Sequence, residues 1–324
     1  MAEARGRFAP TPSGELHIGN MRTALLAWLQ IRKENGMFVL RIEDIDRQRS
    51  RRNYAETILR DMRWLGLDWD EGPDIGGPFA PYTQSERLER YEAALAGLEQ
   101  KGWIYPCYCS RADIMAAASA PHGLESEGPR YPGTCRHLSQ VERLDKGKSK
   151  TPSYRFAMPE DKSISFHDGV AGLQCYSSDS GGDFVVKRSD GMIGYQLAVV
   201  LDDAAMEITD VLRGSDLLDS TPRQLMLYEA LSLKAPRFAH VPLLYGPDGK
   251  RLSKRHGSVT LSSIRNAGVQ PERVIGILAY LSGLLDKAEP VKPGELIPHF
   301  QLQRIIREPV VVTTDLLMEL SSYT

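Results

Sequence analysis

The first residues that could do chemistry lie in a short loop between an apolar strand and a helix. The loop spans residues 7–20 and reads RFAPTPSGELHIGN, with His17 and Gly19 where helical spacing begins. Small residues let a nucleotide approach the backbone, and a helix N-terminus attracts phosphate through its N–H groups and dipole. When a carboxylate attacks the α-phosphate of ATP, the charge that develops needs donors already in place. The loop predicts an ATP site for adenylation, and a tight turn with a surface histidine is the simpler alternative.

A second loop, far along the chain, offers matching basic groups. It contains KRLSKR at residues 250–255 and follows an apolar strand. Lysine and arginine side chains suit phosphate as fixed cations and as forked donors. Two such loops from opposite halves of a fold could close on one triphosphate, so we expect both loops in the same site.

The four cysteines are too few for a disulfide scaffold and are unevenly spaced. Cys107, Cys109 and Cys135 lie close together, whereas Cys175 stands apart and is expected to be a free thiol. Thiolates are preferred zinc ligands, and three of them need a fourth partner. Chemistry alone nominates the nearest imidazoles, His137 or His122. Three buried cysteines without metal are the alternative.

The elements that must position these groups follow from hydrophobic spacing. A strand over residues 6–10 leads into a helix whose apolar face holds Met21, Ala24, Leu25, Trp28 and Leu29, with a C-terminal stop at Gly36. The apolar run MFVLRIED then predicts a buried parallel strand, so residues 6–44 form a strand, helix, strand unit. MEITDVLRG predicts a later strand, and a helix capped by Ser220 or Thr221 is expected to run through Leu231.

Length and charge bound the remaining possibilities. A chain of 324 residues predicts one large domain with an insertion, or two domains. The formal net charge of −2 argues against a surface that binds nucleic acid throughout, and leaves room for a local basic patch. The N-terminus lacks the apolar core of a signal peptide, and no long uncharged apolar stretch is present. We therefore expect a cytoplasmic protein without a membrane segment.

Two short motifs resemble the signatures of class I aminoacyl-tRNA synthetases. Residues 17–20, HIGN, resemble the HIGH signature, and residues 251–255, RLSKR, resemble KMSKS. Flanking segments such as LRIEDID, YQLAVVLDD and LRGSDLLDSTPRQL resemble the glutamyl branch of that family over nearly the whole chain. Asn20 replaces the second histidine and Arg255 the last serine, whereas Lys254, the lysine expected to meet the ATP phosphates, is retained.

The resemblance implies a fold and a domain organisation. It implies an α/β Rossmann-type parallel sheet with an inserted zinc-binding subdomain and a small C-terminal helical segment. Residues 1–106 and 184–258 would form the two halves of the catalytic domain, residues 107–183 the acceptor-binding-like insertion, and residues 259–324 a stem-contact-like segment.

The resemblance also implies which residues bind the substrates. L-Glutamate carries two carboxylates and an ammonium, so its site needs fixed cations and a carboxylate. By resemblance, Arg7, Tyr195 and Arg213 bind the substrate carboxylates and Glu43 its ammonium, each at a strand end or in the loop that follows. Phe8, Ala9, Pro10, Thr11 and Ser13 line the same pocket. The implied ATP-binding residues are His17, Gly19, Asn20, Arg251, Leu252, Ser253, Lys254 and Arg255, of which His17 and Lys254 are catalytic.

The cysteine cluster resembles the zinc site of glutamyl-queuosine tRNA(Asp) synthetases. Cys-x-Cys at residues 107–109 is followed by Tyr-x-x-x-Cys at residues 131–135. The resemblance implies one structural Zn²⁺ held by Cys107, Cys109, Cys135 and, as the fourth ligand, Tyr131. A phenol can bind as phenolate because the metal charge favours the ionised form.

The position of the second signature bears on the acceptor. Glutamyl-tRNA synthetases continue into a sizeable helical anticodon-binding part, whereas about 70 residues follow Lys254 here, too few for a further domain of typical size. The resemblance implies ATP- and Mg²⁺-dependent activation of glutamate without tRNA, and transfer to the queuosine base at the wobble position of tRNA(Asp), by a monomer. The alternatives are a truncated glutamyl-tRNA synthetase charging a tRNA 3′ end, an RNA-binding module with an inactive core, and a nucleotidyltransferase acting on a small acid.

Overall fold

The computed structural model describes residues 3–117, 130–250, 252 and 259–321. Its strands are β1 (Arg5–Phe8), β2 (Met37–Leu40), β3 (Ile104–Cys107), β4 (Ser153–Phe156), β5 (Ser163–Asp168), β6 (Gly172–Ser177), β7 (Phe184–Lys187), β8 (Asp210–Gly214), β9 (Arg237–Val241), β10 (Leu244–Tyr245) and β11 (Val310–Val311). Its helices are α1 (Ile18–Lys33), α2 (Arg52–Trp64), α3 (Leu88–Gln100), α4 (Arg111–Ala117), α5 (Gln140–Gly147), α6 (Ser178–Gly181), α7 (Tyr195–Ala205), α8 (Thr221–Ala230), α9 (Leu261–Asn266), α10 (Pro271–Tyr280), α11 (Pro293–Leu296) and α12 (Thr314–Ser321).

A four-stranded parallel sheet in the order β2-β1-β8-β9 forms the centre of the fold. α1 connects β1 to β2 and α8 connects β8 to β9, so the two crossovers proceed in opposite directions from the middle of the sheet. Strand order therefore reverses between β1 and β8. Ligands of open α/β sheets bind at such a reversal, outside the carboxyl ends of the strands.

Helix α1 covers one face of this sheet through the apolar residues that the spacing predicts. Met21, Ala24, Leu25, Trp28 and Leu29 are all buried. They pack with α10 and with the inward faces of β1 and β2 in one apolar cluster. Burial of this helix face fixes the N-terminus of α1 beside the carboxyl end of β1.

The C-terminus of α1 ends one residue earlier than the sequence predicts. Asn35, with φ of 53°, takes the left-handed position, and its N–H donates to the Arg32 carbonyl. Gly36 follows, and its N–H donates to the Ile31 carbonyl at 2.9 Å. The expectation of Gly36 as the stop is thus wrong in detail. A Cβ on Gly36 would lie 2.2 Å from the Ala4 carbonyl oxygen, so close chain approach explains this glycine.

Two antiparallel sheets are built from strands that lie between residues 104 and 187. One has the order β3-β4-β7, with Phe156 stacked between Trp103 and Phe184. The other is the hairpin of β5 and β6, in which Asp168 pairs with Gly172. This hairpin packs on β9 through Phe166, whose ring meets Phe238 edge-on at 6.3 Å. Short strands with alternating exposure carry a weak apolar signal, so the sequence does not predict them individually.

The C-terminal region packs beside α1 and carries a separate two-stranded sheet. The N-cap residue of α8 is Ser220, and Pro222 lies in the first turn of the helix, as the sequence predicts. β10 and β11 pair in parallel, and α10 packs against α1. Within the described residues, no helix has the length and apolar character needed to cross a membrane.

Candidate active site

A cleft of about 630 Å³ opens where strand order reverses between β1 and β8. It brings together the described members of both predicted sites, which are Arg7, Phe8, Ala9, Pro10, Thr11, Ser13, His17, Gly19, Asn20, Glu43, Tyr195, Arg213 and Leu252. The remaining predicted residues, Arg251, Ser253, Lys254 and Arg255, lie outside the described residues. Residues from five separate parts of the sequence thus line one cavity.

The parallel sheet places three of the four charged or phenolic groups. Arg7 lies in β1, Arg213 lies in β8, and Glu43 follows β2 by three residues. Tyr195 differs from the expectation of a strand end or following loop, because it is the first residue of α7. The preceding residue, Gly194, fixes its position, because the Gly194 N–H donates to the Val186 carbonyl at 2.8 Å. A Cβ at Gly194 would lie 2.6 Å from the Val185 carbonyl oxygen, so only glycine allows this close approach.

The N-terminus of α1 forms one wall of the cleft. His17 precedes the helix, and its backbone N–H donates to Asn20 Oδ1 at 3.4 Å. Asn20 therefore caps the first turn of α1, because its amide oxygen accepts from the backbone N–H of the N-cap residue. This role does not require the histidine that the HIGH signature has at the same position. On the far side of residues 253–258, Thr260 bridges to His17 and the Leu261 N–H donates to the Leu16 carbonyl at 3.0 Å. Thr260 and Leu261 are thereby joined to the first signature region at the cleft.

A buried ion network lies under the Glu43 side of the cleft. Arg41 is fully buried and donates to Asp203 Oδ1 at 2.7 Å and to Glu43 Oε1 at 3.0 Å. Arg7 Nε donates to the same Asp203 oxygen at 3.2 Å. Asp202, 3.8 Å from Arg41 Nε, accepts from Arg87 Nε at 2.6 Å. Alternating charges in this network fix Arg7 and Glu43 without a ligand.

Burial and charge act against each other on the pKa values of this network. Burial raises the pKa of Glu43, and Arg41 and Arg7 partly offset the rise. For Asp203 burial also opposes ionisation, but Arg7 and Arg41 outweigh it and hold the pKa below its usual range. Burial alone would lower the pKa of Arg41, and its three carboxylate neighbours raise it instead. Asp203 is therefore a fixed anion that serves the two arginines.

Arg213 faces this network from β8. It is 4% exposed, and its Nε donates to His240 Nε2 at 2.9 Å while Nη2 donates to Thr221 Oγ1 at 3.0 Å. Its guanidinium carbon lies 5.2 Å from the centre of the Phe238 ring. Among the described residues, Nη1 has no hydrogen-bond partner. Arg213 also lines the cleft, and a guanidinium with a nitrogen unpaired by the protein is suited to an anionic ligand.

Tyr195 adds a neutral donor to the same cavity. The residue is 38% exposed, and its ring edges the cleft. Removal of the phenol from water and the nearby Glu43 carboxylate raise the pKa of Tyr195 to about 12. The phenol therefore keeps its proton at neutral pH and can donate it to a carboxylate.

The cysteine cluster lies apart from the cleft, beside β3. The Sγ atoms of Cys107, Cys109 and Cys135 all lie within 4.8 Å of one another. Tyr131 Oη lies 3.3 Å from Cys107 Sγ and 3.5 Å from Cys109 Sγ, which in turn is 3.6 Å from Cys135 Sγ. His137 is exposed and is not part of this group, and His122 lies outside the described residues.

Comparison with known proteins decides the family. The family model of class I tRNA synthetases (E and Q), catalytic domain, matches residues 3–318. The chain belongs to this family. The parallel sheet and mixed α/β fold expected for a class I synthetase are therefore confirmed.

Several relatives of this synthetase have been named. It is 64% identical to a glutamyl-Q tRNA(Asp) synthetase of Symbiobacterium thermophilum, over 98% of this chain and 99% of that one. A second glutamyl-Q tRNA(Asp) synthetase, from Nitratidesulfovibrio vulgaris, is 46% identical over 99% of both chains. Glutamate–tRNA ligase 2 of Caldanaerobacter subterraneus is 44% identical over 94% of this chain and 63% of its own length.

A solved structure resembles this synthetase closely in fold. A crystal structure of a glutamate tRNA ligase from Elizabethkingia meningosepticum, in complex with its amino acid, matches with a TM-score of 0.84 and 31% identity. The match covers 98% of this chain and 68% of that one.

Sequence reasoning missed the groups of this synthetase that hold the cleft residues in place. These are Arg41, Asp202, Asp203, His240 and Asp168. The sequence carried a signal for three of them. Arg41 interrupts the apolar run MFVLRIED, and Asp202 and Asp203 follow the apolar run YQLAVVL. Charged residues in buried elements are almost always paired, so each predicts a partner without identifying it.

Proposed function

We propose that this synthetase activates L-glutamate with ATP, without requiring tRNA, and transfers the glutamyl group to the queuosine base at the wobble position of tRNA(Asp). The observation that carries the proposal is the 64% identity to a glutamyl-Q tRNA(Asp) synthetase, against 44% to a glutamate–tRNA ligase. The cleft supports the glutamate part, because two arginines, a phenol and one carboxylate all line it.

Each group in the cleft has a distinct part in holding glutamate. Arg213 Nη1, the nitrogen without a protein partner among the described residues, donates to one substrate carboxylate, together with Arg7 and the Tyr195 phenol. Glu43 accepts from the substrate ammonium through Oε2, because Arg41 already engages Oε1. Phe8, Ala9, Pro10, Thr11 and Ser13 form the adjoining wall.

The wall beside α1 receives ATP. The helix N-terminus with His17, Gly19 and Asn20 meets the phosphates, joined by Leu252 and by Arg251, Ser253, Lys254 and Arg255. Mg²⁺ accompanies the triphosphate and neutralises part of its charge. His17 and Lys254 stabilise the charge that develops at the phosphoryl oxygens, which makes them the catalytic pair.

Two displacement steps complete the proposed reaction. A carboxylate oxygen of glutamate attacks the α-phosphorus of ATP, and pyrophosphate leaves to give glutamyl-adenylate. A hydroxyl of the queuosine cyclopentenediol then attacks the glutamyl carbonyl carbon, loses its proton, and expels AMP to form the ester. We place the reaction in the cytoplasm, where ATP and tRNA occur, and assign it to a monomer.

The cysteine cluster fits one structural Zn²⁺. A tetrahedral zinc with sulfur at about 2.3 Å and oxygen at about 2.0 Å separates its ligand atoms by roughly 3.5 to 3.8 Å. The Tyr131 and cysteine separations of 3.3 to 3.6 Å approach that range. Backbone and arginine donors also point at the ligand atoms, with Cys135 N–H 2.9 Å from Tyr131 Oη and Arg155 Nε 3.3 Å from Cys107 Sγ. Such donors favour anionic ligands and orient them.

Removal of one thiol should abolish zinc binding. We expect the purified protein to contain about one Zn²⁺ per chain by atomic emission, and Cys135→Ser to lose it because three ligands hold the ion poorly. Tyr131→Phe should weaken zinc at least about tenfold in chelator competition. Cys175→Ser is the matched control, since Cys175 is an exposed free thiol away from the cluster. Metal-free wild-type protein with all thiols reduced would contradict the assignment.

Transfer of labelled glutamate identifies the acceptor. Purified protein is incubated with ATP, radiolabelled glutamate and total tRNA from cells that make queuosine, beside tRNA from cells that lack it. We expect label only on tRNA that contains queuosine. Equal labelling of both pools would instead favour the charging of a tRNA 3′ end, and glutamate-dependent pyrophosphate exchange without labelled RNA would favour a small-molecule acceptor.

A further inference from the structure

A buried carboxylate and imidazole stand directly behind Arg213. Asp168 and His240 are 0% and 1% exposed, and His240 Nδ1 lies 2.6 Å from Asp168 Oδ2. The opposite ring nitrogen, Nε2, lies 2.9 Å from Arg213 Nε. Neither residue lines the cleft, so neither can touch a ligand held there.

The chemistry of arginine fixes the protonation of this pair. An arginine Nε–H can only donate, so His240 Nε2 must present a lone pair. The ring proton therefore sits on Nδ1 and is donated to Asp168. Burial, only partly opposed by Asp168, lowers the pKa of His240 to about 4, in agreement with a neutral ring. An imidazolium would turn Nε2 into a second donor facing Arg213.

The neutral ring determines the orientation of the guanidinium. With Nε bound to His240 and Nη2 bound to Thr221 Oγ1, the plane of the group is set by two hydrogen bonds. Phe238 lies beside that plane. Nη1 is then left, among the described residues, as the nitrogen without a protein acceptor.

Asp168 links this arrangement to a separate part of the fold. It ends β5, and its Oδ1 accepts from the backbone N–H groups of Val170, Ala171 and His240 at 2.8 to 3.0 Å. The next residue, Gly169, donates its N–H to the Phe238 carbonyl at 2.8 Å. The hairpin of β5 and β6 is thus joined to β9 at the residue that supports His240.

We propose that Asp168 and His240 are positioning residues for glutamate recognition, which act by holding the Arg213 guanidinium with Nη1 directed at a substrate carboxylate. The proposal rests on the glutamate activation proposed above. It extends the glutamate site to the β5–β6 hairpin, which contributes no residue to the lining of the cleft.

Asp168→Asn is the substitution that tests this role with least change in shape. The three backbone donors hold the amide oxygen at the Oδ1 position, so the amide N–H₂ group faces His240 Nδ1. That nitrogen must then accept, and the ring proton moves to Nε2, where it opposes the Arg213 Nε–H. We expect the KM for glutamate in ATP–pyrophosphate exchange to rise about 10- to 100-fold, as for loss of a charged hydrogen bond, with the KM for ATP within about twofold.

Tyr176→Phe controls for general loosening of the hairpin. Tyr176 lies in β6, and its hydroxyl donates to Asp219 Oδ1 at 3.1 Å, away from the cleft. This variant should keep both KM values. An unchanged KM for glutamate in Asp168→Asn, or an equal rise in both variants, would overturn the positioning role.

Imidazole NMR tests the hydrogen-bond arrangement without any variant at Asp168. In ¹⁵N-histidine-labelled wild-type protein at pH 7, with His240 assigned from His240→Gln, we expect protonated Nδ1 and unprotonated Nε2. An Nε2–H tautomer or an imidazolium would overturn the proposal. Absence of glutamate-dependent exchange in the wild type would overturn the proposed function and this role with it, whereas an active wild type with unaffected Asp168→Asn overturns the role alone.

Discussion

Glu43→Gln should lower kcat/KM for glutamate about 100-fold in ATP–pyrophosphate exchange. The substitution keeps the shape of the side chain but removes the charge that we assign to the substrate ammonium, and a hydrogen bond to a charged group is worth about 1.5 to 3 kcal/mol. The KM for ATP should stay within about twofold, because Glu43 is not among the residues that we assign to ATP. Burial raises the pKa of Glu43, so loss of its charge should cost the fold little.

Glu71→Gln is the matched control for this variant. Glu71 is also a buried carboxylate, and it accepts from Arg5 at 2.8 Å and from the Tyr82 hydroxyl at 2.6 Å, but it does not line the cleft. Its replacement should reduce the melting temperature and leave the KM for glutamate unchanged. A normal glutamate KM in Glu43→Gln would exclude Glu43 as the ammonium ligand.

Arg41→Met should destabilise the protein by about 3 to 5 kcal/mol in denaturant unfolding. Arg41 is buried among Asp202, Asp203 and Glu43, and removal of one partner from a buried ion network leaves the others uncompensated. Arg52→Met is the control, because Arg52 and its partner Glu56 are exposed and such pairs contribute less than about 1 kcal/mol.

The pH dependence of this loss has a definite sign. In the wild type, the pKa of Asp203 is held low, so its contribution is present above the pKa of the unfolded chain and is lost as pH falls through the folded pKa. Glu43 responds in the opposite direction, because burial raises its pKa and Arg41 is the largest charge that opposes the rise. Without Arg41 the folded pKa of Glu43 lies further above the unfolded value, and stability falls as pH rises through that range. The deficit of Arg41→Met should therefore be larger at pH 8 than at pH 5, and a deficit independent of pH would contradict the network.

The sequence predicts the central parallel sheet better than the β5–β6 hairpin because the two regions bury their strands differently. The strand at residues 37–40 is an apolar run, and α1 repeats its apolar residues at helical spacing, so both carry strong local signals. The strands β5 and β6 alternate between less and more exposed residues over only six positions each, which composition alone does not separate from a loop.

The candidate site divides in the same way. The resemblance assigns Arg7, Glu43, Tyr195 and Arg213 from their own local motifs, and the structure brings all four to one cleft. Their supports could not be assigned, because the pairing of Arg41 with Asp203, or of Asp168 with His240, joins residues more than 70 positions apart. Such contacts depend on sheet order, which no single segment encodes.

If the hairpin supports Arg213 as proposed, the measured glutamate affinity averages over molecules in which the β5–β6 hairpin is attached to β9 and molecules in which it is detached. A two-stranded hairpin has little stability of its own, so this one depends on its contacts through Asp168, Gly169 and Phe166. Molecules in which the hairpin is detached keep the parallel sheet but lose the support of Arg213. The apparent affinity then falls as the attached fraction falls. Warming or mild denaturant should therefore weaken glutamate capture before the central sheet unfolds.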